Sequence, residues 1–208
     1  MINLEKELKQ LAKDFNFTDK EVIKWWRDCV RGMWGNSIFK QKYIKENSML
    51  IDNTNPRSMK RFPQVRKFKC AICGEMFGSG AIEIDHINSE NTLTDYKHAE
   101  DFLKTILFTS PYKLQVLCKD EKKKLNGKNE VVRFGCHSIK TYAERYGMTF
   151  EQAKLEKEII NICKSNDKTL DKLYELGIEY PPTTLKGRKE MVAKLMREGL
   201  NEELENDS

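Results

Sequence analysis

Histidine is scarce in this chain, with three residues in 208, and no apolar stretch approaches the length that spans a bilayer. The second absence argues against a membrane partner. Met1-Ile2-Asn3-Leu4-Glu5 does not open a secretory leader, so the expected location is cytoplasmic. No internal repeat recurs, which sets repeat architectures aside. Between Asn53 and Lys69 acidic residues are missing altogether, although the chain carries 32 of them. A net charge of +5 on a chain that is 33% charged says little about partners, but that local absence says more. Arg57, Lys60, Arg61, Arg66, Lys67 and Lys69 stand in the gap without neutralisation. Such a run suits the phosphate backbone of a nucleic acid, against the plainer reading of a solvated face.

What the sequence does contain is a concentration of chemistry between Cys70 and Thr141. Cys70-Ala71-Ile72-Cys73 comes first, followed by Glu83-Ile84-Asp85-His86-Ile87, Leu114-Gln115-Val116-Leu117-Cys118, and Cys136-His137-Ser138-Ile139-Lys140-Thr141. Two cysteines at CxxC spacing can place two thiolates on one ion, and two more from distant segments complete a tetrahedral, closed, structural zinc site. A redox pair is the alternative, but the βαβ setting of such pairs is missing and Cys118 and Cys136 would go unexplained. Asp85 and His86 end an apolar run with Ile82, Ile84 and Ile87 that reads as a half-buried strand, so their side chains face opposite ways. A carboxylate suits a hard divalent cation and an imidazole suits a general base. His137, beside the last cysteine, can offer a second ligand to that cation. His98 is read as an ordinary surface or satisfied core residue rather than a catalyst. Cys29 and Cys163 fall in helical patterns and are expected as buried thiols.

These four segments resemble the HNH endonuclease family, also called ββα-metal or His-Me finger nucleases. The likeness is greatest to phage-type members, whose core reads CxxC, DHI, LQVLC and CHxxKT. It covers about a third of the chain. The resemblance implies a zinc-bound ββα-metal core, with His86 as general base and Asp85 and His137 holding Mg²⁺ or Mn²⁺. It implies hydrolysis of DNA phosphodiester bonds, by nicking or double-strand cleavage, in a bacterial or phage-infected host cell. The gene would be phage-encoded or belong to a mobile element. Two departures stand out. Lys113 occupies the place where the family usually has an Asn that braces the catalytic loop. Residues Lys119 to Gly135 separate the last two cysteines, where the family has a compact CxxCH. This insertion carries Lys122, Lys123 and Lys124 and reads as a hairpin with its turn at Leu125-Asn126-Gly127-Lys128, able to contact DNA. A loop between two ligands is tolerated because closure entropy grows only logarithmically with length.

The flanks read as helical. Leu4, Leu8, Leu11 and Phe15 have helical spacing, Thr18 with Glu21 forms a capping box for a second helix, and Phe39 to Ile44 continues the pattern until a loop at Asp52 to Pro56. Phe102, Leu103, Ile106 and Leu107 form one stripe of a covering helix. Thr149 with Gln152 opens another helix, a short one spans Leu170 to Leu176, and a basic helix lies near Lys186 to Met196 ahead of an acidic tail. The expected fold is α+β and mostly helical, with domains 1–56 (helical), 57–145 (nuclease) and 146–208 (helical). The helical ends could also dock a protein partner. Two further readings remain beside the nuclease: a zinc-stapled DNA-binding protein without cleavage, and an interaction protein acting through its helical ends.

Overall fold

The computed structural model describes residues 3–87, 93–125 and 127–206. Most of the polar segment after His86 (88–92) and Asn126 of the expected hairpin turn therefore lie outside the described residues. The fold is α+β with helices predominating, as expected. It forms two compact units, Met1–Leu117 and Cys118–Ser208, a division that falls inside the 57–145 span.

In the first unit, helices α1 (Leu4–Asp14) and α2 (Asp19–Gly35) are the two helices that the N-terminal spacing and the capping box predict. Both halves of the capping box are present: the Thr18 hydroxyl accepts the Glu21 N–H, and the Glu21 carboxylate accepts the Thr18 N–H at 2.8 Å. That bonding holds the Glu21 carboxyl below its usual range. Leu8, Ala12, Val22 and Val30 bury against Tyr96, Ala99 and Phe102 of the later segment. The stripe read from the sequence is the inner face of α4 (Ala99–Leu107), with Phe102 buried and Leu103, Ile106 and Leu107 half-buried around it. The Trp26 indole N–H donates to the Ala99 carbonyl at 3.4 Å, tying α2 to α4.

Two small sheets complete this unit. Strands β1 (Met49–Asp52), β2 (Gln64–Lys69) and β3 (Met76–Phe77) form an antiparallel sheet in that order, and β4 (Ile82–His86) pairs with β5 (Leu114–Cys118). Trp34, Phe68, Ile82, Ile84, Leu114 and Val116 make their common core. Helix α3 (Ile38–Glu46) is separate from α2 because Asn36 ends one helix and the Ser37 hydroxyl caps the next, accepting the Lys40 N–H at 3.1 Å. Strand β1 was not expected. Asp52, read as the start of a loop, is its last residue and pairs with Gln64.

The second unit holds a hairpin of β6 (Glu121–Leu125) and β7 (Lys128–Arg133), then helices α5 (Cys136–Tyr146), α6 (Phe150–Ile162), α7 (Asn166–Glu175) and α8 (Leu185–Asn206). The Thr149–Gln152 capping box forms as expected. Helix α7 begins earlier than Leu170 because Ser165 caps it, accepting the Lys168 N–H at 3.2 Å, and its first turn is polar. Helix α8 runs on through the expected acidic tail. The Arg197 guanidinium grips Glu156 through two bonds of 2.6 and 3.0 Å, which joins α8 to α6 and holds the Glu156 carboxyl below its usual range. Cys29 and Cys163 are half-buried rather than buried. Cys163 caps the C-terminus of α6, at the helix end, and burial still pushes its thiol up.

Candidate metal centre

The CxxC motif sits at a hairpin tip. Strand β2 delivers Cys70, the chain turns through Ala71, Ile72 and Cys73, and β3 returns, pairing Phe77 with Phe68 and Met76 with Lys69. Gly74 closes the turn at φ +73, a left-handed conformation in which a side chain is strained, and its N–H donates to the Cys70 carbonyl at 3.0 Å. The Ala71 N–H donates to the Val116 carbonyl at 2.8 Å, which fastens the tip to β5 two residues before Cys118.

Cys136 opens helix α5, and its N–H points at the Cys118 sulfur, 3.1 Å away. This is how a backbone stabilises negative charge on a thiolate. Asp120 holds that geometry: one carboxylate oxygen accepts the Gly135 N–H at 2.9 Å and the Ser138 hydroxyl, so it fixes the first turn of α5. Sequence reasoning missed Asp120. Its partners lie 15 and 18 residues away, and only its place two residues after a cysteine of the cluster hinted at a supporting role.

The sulfurs of Cys70, Cys73, Cys118 and Cys136 all lie within 4.8 Å of one another, and three of the four residues are buried. Among the described residues no disulfide joins any of the six cysteines. Four thiolates on a zinc ion with bonds of about 2.3 Å would stand about 3.8 Å apart, so the donor set and its spread fit a tetrahedral metal. The cluster can bind a metal ion. Among the described residues no other group of three or more such donors converges.

Gly135 is required by close approach. A Cβ there would lie 2.2 Å from the Lys119 carbonyl carbon and 2.4 Å from the Cys118 oxygen, both backbone atoms with little room to yield. Gly135→Ala is therefore expected to destabilise the protein by about 1–3 kcal/mol in urea unfolding. Gly78→Ala, with nothing within 4 Å, serves as the control. Equal midpoints for the two variants would contradict the close approach of Gly135 to the Cys118–Lys119 backbone.

Asp85 and His86 end β4 on opposite faces, as read from the sequence. The Asp85 carboxylate accepts the Gln115 amide from β5 at 3.2 Å. His86 lies on the core face with Ile82 and Ile84, its ring centroid 5.4 Å from that of Trp34 and its Nε2 shielded from solvent. The Ile87 N–H donates to the Lys113 carbonyl at 2.8 Å, so the main chain at Lys113 steadies the residue after His86 whatever side chain stands there. His137 occupies the first turn of α5, where its carbonyl accepts the Thr141 hydroxyl at 2.9 Å. His98 is exposed, its Nδ1 2.9 Å from Asp95.

The basic run does not make one stripe. Arg57, Lys60 and Arg61 occupy the loop before β2, whereas Arg66 shares the Phe68 side of that strand and Lys67 and Lys69 the other. All are exposed except Lys67, which is half-buried. Among the described residues none of the six is ion-paired, and Arg66 donates to the Ser48 hydroxyl at 3.2 Å. The insertion forms the expected hairpin with Lys122, Lys123 and Lys124 exposed. Lys123 lies across from Glu130 and 3.8 Å from Glu121, so its charge is opposed while Lys122 and Lys124 face the other way. Asn161 of α6 and Lys168 of α7 hold β7 through Val131 and Glu130.

No family model, curated protein or solved structure matches the chain.

Proposed function

We propose that the protein is a metal-dependent DNA endonuclease of the HNH type, with a structural zinc on Cys70, Cys73, Cys118 and Cys136. One observation carries the reading: β4 ends on Asp85-His86 and pairs with β5, which ends on Cys118 of the four-cysteine cluster. A carboxylate, an imidazole and one cysteine of the sulfur cluster thus belong to one pair of short strands. Asp85 and His137 would hold Mg²⁺ or Mn²⁺, a carboxylate–imidazole set that suits either ion. When bound, that cation would supply positive charge to the phosphate and the departing 3′ oxygen. His86 accepts the proton of the attacking water, leaving 5′-phosphate products. The Gln115 amide orients the Asp85 carboxylate, and the Trp34 ring fixes the imidazole. Cleavage would take place in the cytoplasm of a bacterial or phage-infected cell.

The test is conversion of supercoiled plasmid to nicked or linear form, with and without Mg²⁺ or Mn²⁺. Cleavage dependent on added metal is expected. A second reading, a zinc-stapled DNA-binding protein without cleavage, draws support from the shielded Nε2 of His86 beside Trp34. Plasmid and single strands that both stay intact with every divalent metal would select it.

DNA affinity itself is expected to depend on the cationic run. Arg61→Ala with Arg66→Ala and Lys67→Ala should weaken binding across sequences and flatten the salt dependence by about one unit for each phosphate that is no longer neutralised. A salt slope equal to wild type would return these side chains to the solvent.

A further inference from the structure

The connection from β1 to β2, residues 53–63, is built around a single buried amide. Asn53 is 9% exposed, and its side-chain nitrogen donates to the Phe62 carbonyl at 2.8 Å and the Ser58 hydroxyl at 3.0 Å. Its side-chain oxygen accepts the Asn55 N–H at 3.1 Å, and its own N–H donates to the Pro63 carbonyl at 2.8 Å. The loop is thereby closed on itself with a fixed shape. A loop held this firmly could have hidden its apolar residues, yet Met59 is 47% and Phe62 53% exposed. The same loop carries the exposed cations Arg57, Lys60 and Arg61, and the Arg61 guanidinium carbon lies 5.2 Å from the Phe62 ring centroid.

An exposed aromatic ring on a pinned loop that also carries unopposed cations is the chemistry that takes up an unstacked nucleotide. The ring supplies a surface for a base, and the cations meet the phosphates on either side. An apolar protein partner would leave the three cations without complementary charge, and an intact duplex offers no open base face. We propose that loop 53–63 binds single-stranded DNA, stacking an unpaired base on Phe62 while Arg57, Lys60 and Arg61 hold the adjoining phosphates. The inference rests on the DNA reading above and adds to it the form of the strand. Pinning by Asn53 reduces the ordering entropy that binding would otherwise cost.

Fluorescence anisotropy of the full chain on a labelled mixed-sequence single strand and on its duplex, without added Mg²⁺ or Mn²⁺, tests it. Phe62→Ala is expected to weaken single-strand binding about 5- to 150-fold with the salt slope unchanged, to leave duplex binding nearly unaltered, and to be restored by Phe62→Trp. Arg57→Ala with Lys60→Ala should lower the slope instead. Because the Phe62 ring is exposed, the variant keeps its fold, which circular dichroism verifies. Single-strand binding by Phe62→Ala equal to wild type would overturn the proposal while leaving the DNA reading in place. So would an equal loss on single strand and duplex. Wild-type protein that binds neither form would instead remove the DNA reading itself.

Discussion

Replacing Cys70 and Cys73 together by serine is expected to abolish zinc binding and unfold the metal-binding region. Wild-type protein should carry about one zinc per chain by elemental analysis, and a strong chelator should lower its melting temperature steeply. The size of the effect follows from how little else holds the tip. Strand β3 has two residues, and the turn between Cys70 and Cys73 is fastened by main-chain bonds such as Ala71 to Val116. A structural zinc site of this type contributes on the order of 10 kcal/mol or more, comparable to the whole stability of a small domain at about 5–15 kcal/mol. Cys73 is the exposed member of the cluster, so a chelator would reach a bound ion from that side. Thiolates bind the metal and thiols do not, so affinity should fall as pH falls. Full zinc retention in the double-serine variant, or wild-type protein without zinc, would overturn the assignment.

The parts of the fold that could be read from the sequence are those whose determinants lie close together along the chain. Thr18 with Glu21 and Thr149 with Gln152 each bind the backbone three residues away, so two helix starts are visible within four letters. The alternation of Ile82 and Ile84 with Glu83 and Asp85 likewise marks β4 and the opposed directions of Asp85 and His86. The four cysteines are visible as a set by spacing and chemistry, although Cys70 and Cys136 are far apart in the chain. Strand β1 escapes because all four of its residues are exposed, which leaves no in–out pattern, and its partner β2 begins only after the Asn53-pinned loop. The basic run looks continuous because a sequence does not display faces, whereas the pleat of β2 sends Arg66 one way and Lys67 the other. The acidic tail reads as an ending, yet charge alone does not stop a helix. The Lys194–Glu198 pair, four residues apart, is of the kind that sustains one.

His86→Ala is expected to abolish DNA cleavage while zinc content and DNA affinity stay near wild type. In the proposed nuclease the labour would be divided among three sets of groups: sulfurs that hold the centre, cations that hold the strand, and one imidazole that acts only when water must lose a proton. Removing a general base typically lowers the rate by two to four orders of magnitude, about 3–5 kcal/mol in the barrier. The ring also packs against Trp34 at 5.4 Å, so truncation leaves a gap beside a core indole. His86→Gln, which fills more of that space but is a poor base, should recover stability without activity. Asp85→Ala should fail for a different reason. With the carboxylate gone, cation affinity drops, and excess Mn²⁺ should restore part of its cleavage but none of that lost in His86→Ala. Single-turnover cleavage of a labelled duplex across a Mn²⁺ titration separates the two. If His86→Ala cuts as fast as wild type, the base lies elsewhere and the imidazole serves only to pack Trp34. If Asp85→Ala shows the same metal dependence as wild type, the carboxylate is bound to Gln115 for structure alone.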